Sequence, residues 1–314
     1  MVEQVSAPRI RAWSPGIAGI REVFHARFTH HAYPKHTHDV WTLFIVDDGA
    51  IRYDLEYRAG GAGTSMVSIL PPHVVHDGRA ADPRGFAKRV LYLETSVIDE
   101  ALIGAAVDDP VLHAAGLRSQ VAGLHDALLC ADDALEAETR LAFIAERIRA
   151  ALGAADHGGT GRPTDELAEH LRAHLDSRLF EPMTIADAAA DLDASPTQLA
   201  RSFSTTFGIA PHAYVLGRRL EAARARILDG EPLAKVAAEV GFYDQAHLSR
   251  HFRRFIATTP GRFVAPGWRA PRRAQVRRAA SVVANPPRCS GSAQISSQQG
   301  YRSSERGSGA DTRI

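Results

Sequence analysis

The first third of the chain alternates short apolar runs with turn residues, a pattern typical of β-strands in a small barrel or sandwich. The sequence Asp-Asp-Gly at 47–49 separates two of these runs and predicts a hairpin between them. The Gly-rich stretch at 59–63 predicts another turn. We therefore expect a β-domain over residues 17–98, preceded by an N-terminal arm at 1–16. The apolar runs cover residues 20–29, 40–46, 50–57, 65–70 and 87–94.

After these strands the apolar spacing changes to the three-and-four repeat of amphipathic helices. It predicts a helical pair at 112–152, within a helical segment at 99–152. Gly and Pro residues at 153–163 predict a linker, and a second helical region follows at 164–267. The residues at 268–314 lack periodic apolar positions, so we expect them to be disordered. The repeat in the first helical segment is carried by Leu117, Val121, Leu124, Leu128, Leu141, Ile144, Ile148 and Leu152.

The second helical region contains an internal repeat at an offset of 49 residues. Each copy consists of an Ala-rich helix, a three-residue turn and an amphipathic helix. Ser195 and Asp244 stand before the amphipathic helices, where their side chains suit N-caps. This order of elements is typical of a helix-turn-helix. The matched positions are Leu199 with Leu248, Arg201 with Arg250 and Phe203 with Phe252.

A single helix pair of this kind could simply pack an all-α domain, with its arginines on solvated faces. Two copies in the same register favour DNA reading instead. The predicted helix at 211–228 joins the copies, and its 18 residues span roughly 27 Å at about 1.5 Å per residue. Readers at that separation can enter two adjacent major grooves of double-stranded DNA.

Composition is typical of a globular protein, with 45% apolar and 23% charged residues. No run approaches the roughly 20 apolar residues that span a membrane, and the N-terminus lacks a secretory signal. Cys130 and Cys289 are too few for a disulfide framework, so a cytoplasmic location is expected. The net charge is only +1, yet residues 194–267 hold 10 basic and 5 acidic side chains. This local excess suits a polyanionic partner.

The second repeat carries the segment Val-Ala-Ala-Glu-Val-Gly-Phe at 236–242, followed by Leu-Ser-Arg-His-Phe-Arg-Arg at 248–254 and Thr-Pro-Gly-Arg-Phe at 259–263. With these motifs, residues 165–264 resemble the DNA-binding domain of the AraC/XylS family of bacterial transcription regulators. The resemblance implies base contacts from both amphipathic helices, and Arg and Gln suit guanine and adenine. Arg253 and Arg254 are expected to contact phosphates. The base-contacting candidates are Thr197, Gln198, Arg201, Gln245, His247, Ser249 and Arg250.

The β half carries Pro-Lys-His-Thr-His at 34–38 before one strand, and Leu-Pro-Pro-His at 70–73 before another. These motifs resemble the cupin-like sensor barrel of the same family. The resemblance implies a barrel that binds a small-molecule effector and a homodimer formed through the helices at 112–152. An activator of this kind can also contact RNA polymerase. The candidate effector-binding residues are His36, His38, Trp41, His73 and His76.

Enzymic cupins bind a divalent metal through His-x-His, a Glu a few residues later and a further His, and imidazole suits Zn, Fe or Ni. Here residues 41–44 are Trp-Thr-Leu-Phe, with no Glu, and Asp39 stands too close to the histidines to replace it. We therefore expect no metal, no cofactor and no catalytic residue. The histidines either hydrogen-bond within the barrel mouth or anchor a metal-free effector.

The expected fold class is α+β with two domains, an N-terminal cupin-like barrel with a helical pair and a C-terminal all-α domain with two helix-turn-helix motifs. The expected function is a sequence-specific transcription regulator that is not an enzyme and responds to a small molecule. The alternative is a metal-dependent cupin enzyme with a helical appendage. The expected parts are an arm at 1–16, a barrel at 17–98, a dimerisation segment at 99–152, a linker at 153–163, a DNA-binding domain at 164–267 and a basic tail at 268–314.

Overall fold

Antiparallel β-structure forms the N-terminal half of the computed structural model, which describes residues 8–129, 134–153 and 165–264. The strands of this half are β1 (Arg9–Trp13), β2 (Ile20–Phe28), β3 (Ala32–His36), β4 (Trp41–Gly49), β5 (Ile51–Leu55), β6 (Arg58–Ala62), β7 (Val67–Leu70), β8 (His76–Ala80) and β9 (Phe86–Leu93). They form one sheet in the order β1-β2-β9-β4-β7 and a second in the order β3-β8-β5-β6.

Strand β4 is buried on both faces, and its alternation separates two apolar cores. Phe44 and Val46 point into a core that both sheets share. Trp41, Leu43 and Ile45 point to the opposite side, into a core between the larger sheet and the helices that follow it.

Those helices are α1 (Ile103–Asp108), α2 (Leu117–Ala127) and α3 (Ala134–Gly153), after a 3₁₀ turn at Glu100–Leu102. The predicted helical pair therefore exists as α2 and α3. Its apolar stripe packs on the outer face of the larger sheet, where Leu124 is fully buried and Leu128 is 7% exposed. The Trp41 indole donates a hydrogen bond to the Ile98 carbonyl at 2.8 Å and helps to close this core.

Three details of the predicted β half are wrong. Strands β4 and β5 do not form a hairpin, because β4 pairs with β7 and β9 while β5 pairs with β6 and β8. Gly49, at φ 71°, is the last residue of β4, where the chain passes from one sheet to the other. The Gly-rich stretch at 59–63 is not a turn but lies mostly in β6. Gly60 suits this strand because a Cβ there would clash with the Tyr53 ring. Part of the predicted arm, Arg9–Trp13, is the edge strand β1 paired with β2.

The C-terminal half is helical and contains two helix-turn-helix motifs, α5–α6 and α8–α9, joined by the long helix α7. Its helices are α4 (Glu166–Ser177), α5 (Ile185–Asp191), α6 (Pro196–Phe207), α7 (Pro211–Leu228), α8 (Leu233–Glu239), α9 (Gln245–Ile256) and α10 (Pro260–Phe263). The predicted N-caps are present, because Ser195 accepts a hydrogen bond from the Gln198 amide and Asp244 from the His247 amide.

The two halves share one apolar core. Helix α7 contributes Leu220 and Ile227, and Phe255 and Phe263 join the inner core of the barrel. The Phe263 ring lies 6.3 Å from that of Phe24 on β2. The helical half therefore closes one side of the barrel.

Several predicted features lie outside the described residues. They are the first seven residues of the arm, nearly all of the linker, Cys130, Cys289 and the tail at 268–314. Among the described helices, none combines the length and the hydrophobicity that a bilayer span requires.

Candidate DNA interface and barrel cavity

The predicted base-reading residues of the first motif lie on the outer face of α6. Leu199 and Phe203 are fully buried, and they fix the helix against α4 and α5. The opposite face of the helix exposes Thr197, Gln198 and Arg201. Arg201 has no ion-pair partner within the described part of the chain.

Helix α9 presents the corresponding face of the second motif. Its buried stripe runs through Leu248 and Phe252. Gln245, Arg250, Arg253 and Arg254 are exposed, and none of these arginines has an ion-pair partner among the described residues. Four guanidinium or amide groups are thus free to meet an anionic surface.

The other two candidates on α9, His247 and Ser249, are half-buried. The His247 ring packs on Phe242, and its Nε2 atom lies 3.0 Å from that of His251. Tyr243, which the sequence analysis did not select, is 93% exposed directly before the N-cap of α9. An exposed aromatic residue in the turn of a helix-turn-helix was the signal available for it.

A small cavity lies where the barrel meets the helical half. Its volume is about 50 Å³, which is room for one or two water molecules. The barrel contributes its floor and walls, and α7 and α9 cover it. Its polar lining includes Tyr33, His36, Thr37, His38, Thr42, His76, Lys88, Glu221 and Arg224.

The structure brings three of the five candidate effector residues together in this cavity. His36, His38 and His76 are 8%, 5% and 4% exposed, and one ring nitrogen from each lies within 4.8 Å of the other two. Burial, together with the neighbouring histidine charges for His36 and His38, lowers the pKa of the three imidazoles, that of His76 to about 4. They are neutral at physiological pH.

Trp41 and His73 do not line the cavity. The alternation of β4 turns Trp41 into the outer core and leaves Thr42 facing the cavity. His73 lies in the loop before β8 with a φ of 65°, and its amide donates to the His38 carbonyl at 2.7 Å. The structure therefore places these two predicted residues outside the cavity, and the sequence motif does not show which way each side chain points.

Helix α7 closes the cavity with two charged residues. Nδ1 of His38 and Oε1 of Glu221 lie 3.0 Å apart, within hydrogen-bond distance, and burial raises the Glu221 pKa to about 8. Arg224 donates to Glu22 on β2 at 2.5 Å, and its guanidinium lies 4.6 Å from the Tyr92 ring centre. Sequence reasoning missed both, since they belong to the helical half.

Lys88 on β9 is the other residue that sequence reasoning missed. Its ammonium lies 4.4 Å from the Tyr33 ring centre, and burial lowers its pKa to about 7. The hydroxyls of Thr37 and Thr42 have no hydrogen-bond partner among the described residues. The chain has three lysines, and Lys88 is the one within an apolar strand. That unusual position was the sequence signal that could have identified it.

Two family models match the chain. Residues 19–145 match the AraC-like ligand binding domain, and residues 188–265 match a helix-turn-helix domain. The chain is also similar to the probable transcriptional regulator LumQ of Photobacterium leiognathi, with 31% identity over 91 residues, 29% of this chain and 37% of LumQ. It is similar to the uncharacterised regulator YidL of Escherichia coli K12, with 27% identity over 134 residues, 42% of this chain and 45% of YidL.

The fold is similar to that of ToxT from Vibrio cholerae O395, with a TM-score of 0.52, 12% identity, and coverage of 83% of this chain and 99% of ToxT. The matches to LumQ and YidL span between about a third and a half of those curated relatives. The models of a ligand-binding domain and of a helix-turn-helix domain thus match one chain, in that order. This chain belongs to the AraC family of transcriptional regulators.

Proposed function

We propose that this protein is a sequence-specific DNA-binding regulator of transcription whose barrel responds to a small-molecule effector. The observation that carries the proposal is the pair of capped helices α6 and α9, each of which exposes unpaired arginine and glutamine side chains. Exposed donors on the second helix of such a motif suit the edges of bases in the major groove.

The residues divide into two roles. Thr197, Gln198 and Arg201 on α6 read one half-site, and Gln245, His247, Ser249 and Arg250 on α9 read the other. Arg253 and Arg254 lie towards the C-terminal end of α9 and bind phosphates. Tyr243, beside the N-cap of α9, contributes a further contact because its ring is exposed.

The effector acts at the cavity under α7. A volume of about 50 Å³ is far below the roughly 300 Å³ of small-molecule pockets, so a larger effector must displace α7 or the side chains around it. Its binding would then shift the balance between positions of the helical half. His36, His38 and His76 with Lys88 suit a polar group of such an effector.

The regulator acts in the cytoplasm as a homodimer. Since α2 packs on the barrel, the exposed side of α3 is the surface left for the partner, and it carries Leu135 and Phe143 at 78% and 57% exposure. As an activator it would also contact RNA polymerase beside the promoter.

The test is selection of binding sites from randomised double-stranded DNA by the full chain. We expect two half-sites about one helical turn apart. Arg250→Ala should lose about 1–3 kcal/mol on the selected site and relax one base position, because Arg250 reads a base. Arg254→Ala should weaken selected and scrambled DNA alike and reduce the salt dependence.

Fluorescence anisotropy at several salt concentrations measures both effects. If both variants behave alike on selected and scrambled DNA, the division into base and phosphate contacts is wrong. If the full chain enriches no sequence at all, the proposed function is wrong.

A further inference from the structure

The imidazoles of His36, His38 and His76 converge in the cavity. In each ring Nδ1 has a hydrogen-bond partner, and Nε2 has none among the described residues. Nδ1 of His36 donates to the Pro34 carbonyl at 2.7 Å, and Nδ1 of His76 donates to the Val74 carbonyl at 3.0 Å. Carbonyl oxygens only accept hydrogen bonds, so in both rings the proton sits on Nδ1. Nε2 therefore keeps its lone pair in each ring.

His38 has a carboxyl group as the partner of Nδ1, and an ionised Glu221 would accept the Nδ1 proton as the two carbonyls do. Its Nδ1 lies 3.0 Å from Oε1 of Glu221, while Oε2 of that residue accepts from the Asp39 amide at 3.3 Å. Among the described residues, no hydrogen bond uses Nε2 of His36, His38 or His76. The three rings face one another in the cavity, with ring centres 4.4–5.1 Å apart and one ligand nitrogen of each within 4.8 Å of the other two.

This arrangement suits an electron-pair acceptor at its centre, because the ligand nitrogens of three uncharged imidazoles converge there. The hydrogen bonds from Nδ1 to a carbonyl or carboxylate are those that orient imidazoles which bind metals. We propose that His36, His38 and His76 bind one divalent first-row transition-metal ion through Nε2, and that Glu221 orients His38 from α7.

The surroundings agree with an ion of this class. Imidazole nitrogens suit zinc, copper, nickel and iron(II), and three of them leave an open position for water or for a group of an effector. The cavity of about 50 Å³ holds an ion with a water molecule. The positive charge of Arg224 is paired with Glu22 at 2.5 Å, and burial lowers the pKa of Lys88, the other cation in the lining, to about 7. Both effects limit the repulsion of the ion.

The sequence expectation of no metal rested on the missing Glu after the His pair. The fold supplies a carboxylate from another element, 183 residues further along the chain. Because Glu221 lies on α7, a bound ion would also connect the barrel to the helical half.

The test is a titration of the untagged full chain with Co²⁺ after treatment with a chelator. Cobalt is the probe because its visible absorption reports the ligands. We expect one equivalent per chain, an absorption band and a higher melting temperature. His36→Gln and His76→Gln should each weaken binding by more than the roughly 10–100-fold typical of removing a residue that only orients a ligand. Glu221→Gln should fall within that range.

The matched control is His73→Asn, which removes a nearby imidazole outside the cavity and tolerates the positive φ. Every chain in the titration, the reference included, carries His251→Gln, because the half-buried His247–His251 pair could bind cobalt by itself. Unchanged cobalt binding in His36→Gln and His76→Gln would overturn the proposal.

Circular dichroism shows whether each variant folds. If a variant unfolds, X-ray absorption of the cobalt-loaded His251→Gln chain decides in its place. Multiple scattering from three imidazoles supports the site, and a shell with fewer than two imidazoles overturns it. Neither readout depends on DNA binding, so failure here leaves the proposed function standing.

Discussion

At the scale of single residues, Lys88 shows how burial changes the behaviour of a common side chain. The flanking positions Phe86 and Val90 face the inner core, and strand alternation places Lys88 on the same side. Desolvation disfavours the ammonium form, which lowers the pKa of Lys88 from 10.5 to about 7. A lysine in such a place destabilises the fold and is available to an anionic ligand.

Lys88→Met should raise the free energy of unfolding at pH 7 by roughly 1–3 kcal/mol, since one pKa unit corresponds to about 1.4 kcal/mol and the residue keeps some contact with water. Between pH 7 and about 10 the unfolded chain binds this proton and the folded chain does not. The free energy of unfolding of the unmutated chain therefore rises with pH in that window. The variant should lose this rise.

Urea denaturation between pH 6.5 and 10 measures the effect. Lys235→Met is the matched control, because it removes a lysine that is 55% exposed. An equal slope in the unmutated chain and in Lys88→Met would show that Lys88 keeps its proton on folding.

At the scale of elements, the apolar stripe of α2 and α3 packs on the larger sheet and is therefore not available to a second chain. The stripe through Leu124 and Leu128 packs on the larger sheet. The opposite side of α3 keeps two large apolar residues in water, Leu135 and Phe143, eight positions apart on one face. A dimer contact through this segment must therefore use α3.

Leu135→Glu combined with Phe143→Glu should convert the proposed dimer to a monomer without unfolding the chain, because both side chains are exposed. Leu124→Glu should instead unfold the barrel, because it places a charge in a closed core. Sedimentation with circular dichroism on the same samples separates the two results.

Phe180→Glu is the control, since it changes an apolar residue that is 42% exposed on a different element. A double variant of Leu135 and Phe143 that stays folded and dimeric would rule out α3 as the interface.

At the scale of the whole molecule, the buried pair of Arg224 and Glu22 joins the halves. Arg224→Leu should lower the free energy of unfolding by about 3–5 kcal/mol, because it leaves the Glu22 carboxylate buried without its partner. Glu22→Leu in the same chain should restore much of the loss.

Chemical denaturation of the two single variants and the double variant measures this coupling. Additive effects of the two substitutions would mean that the ion pair does not connect the barrel to the helical half.

The sequence by itself determined the elements whose signals are local. Helix caps at Ser195 and Asp244, the apolar spacing of α6 and α9 and their repetition depend on residues within one turn or one motif. The amino-acid sequence was therefore enough to predict the duplicated helix-turn-helix, its exposed arginines and the family.

Tertiary structure alone decided what depends on contacts between distant segments. Glu221 meets His38 across 183 positions, and Arg224 meets Glu22 across 202. Contacts between distant segments also place β4 and β5 in different sheets, turn Trp41 into the outer core and pack the apolar stripe of α2 on the larger sheet. No local pattern encodes which face of an element a remote segment will cover, because that choice is made by packing the whole core.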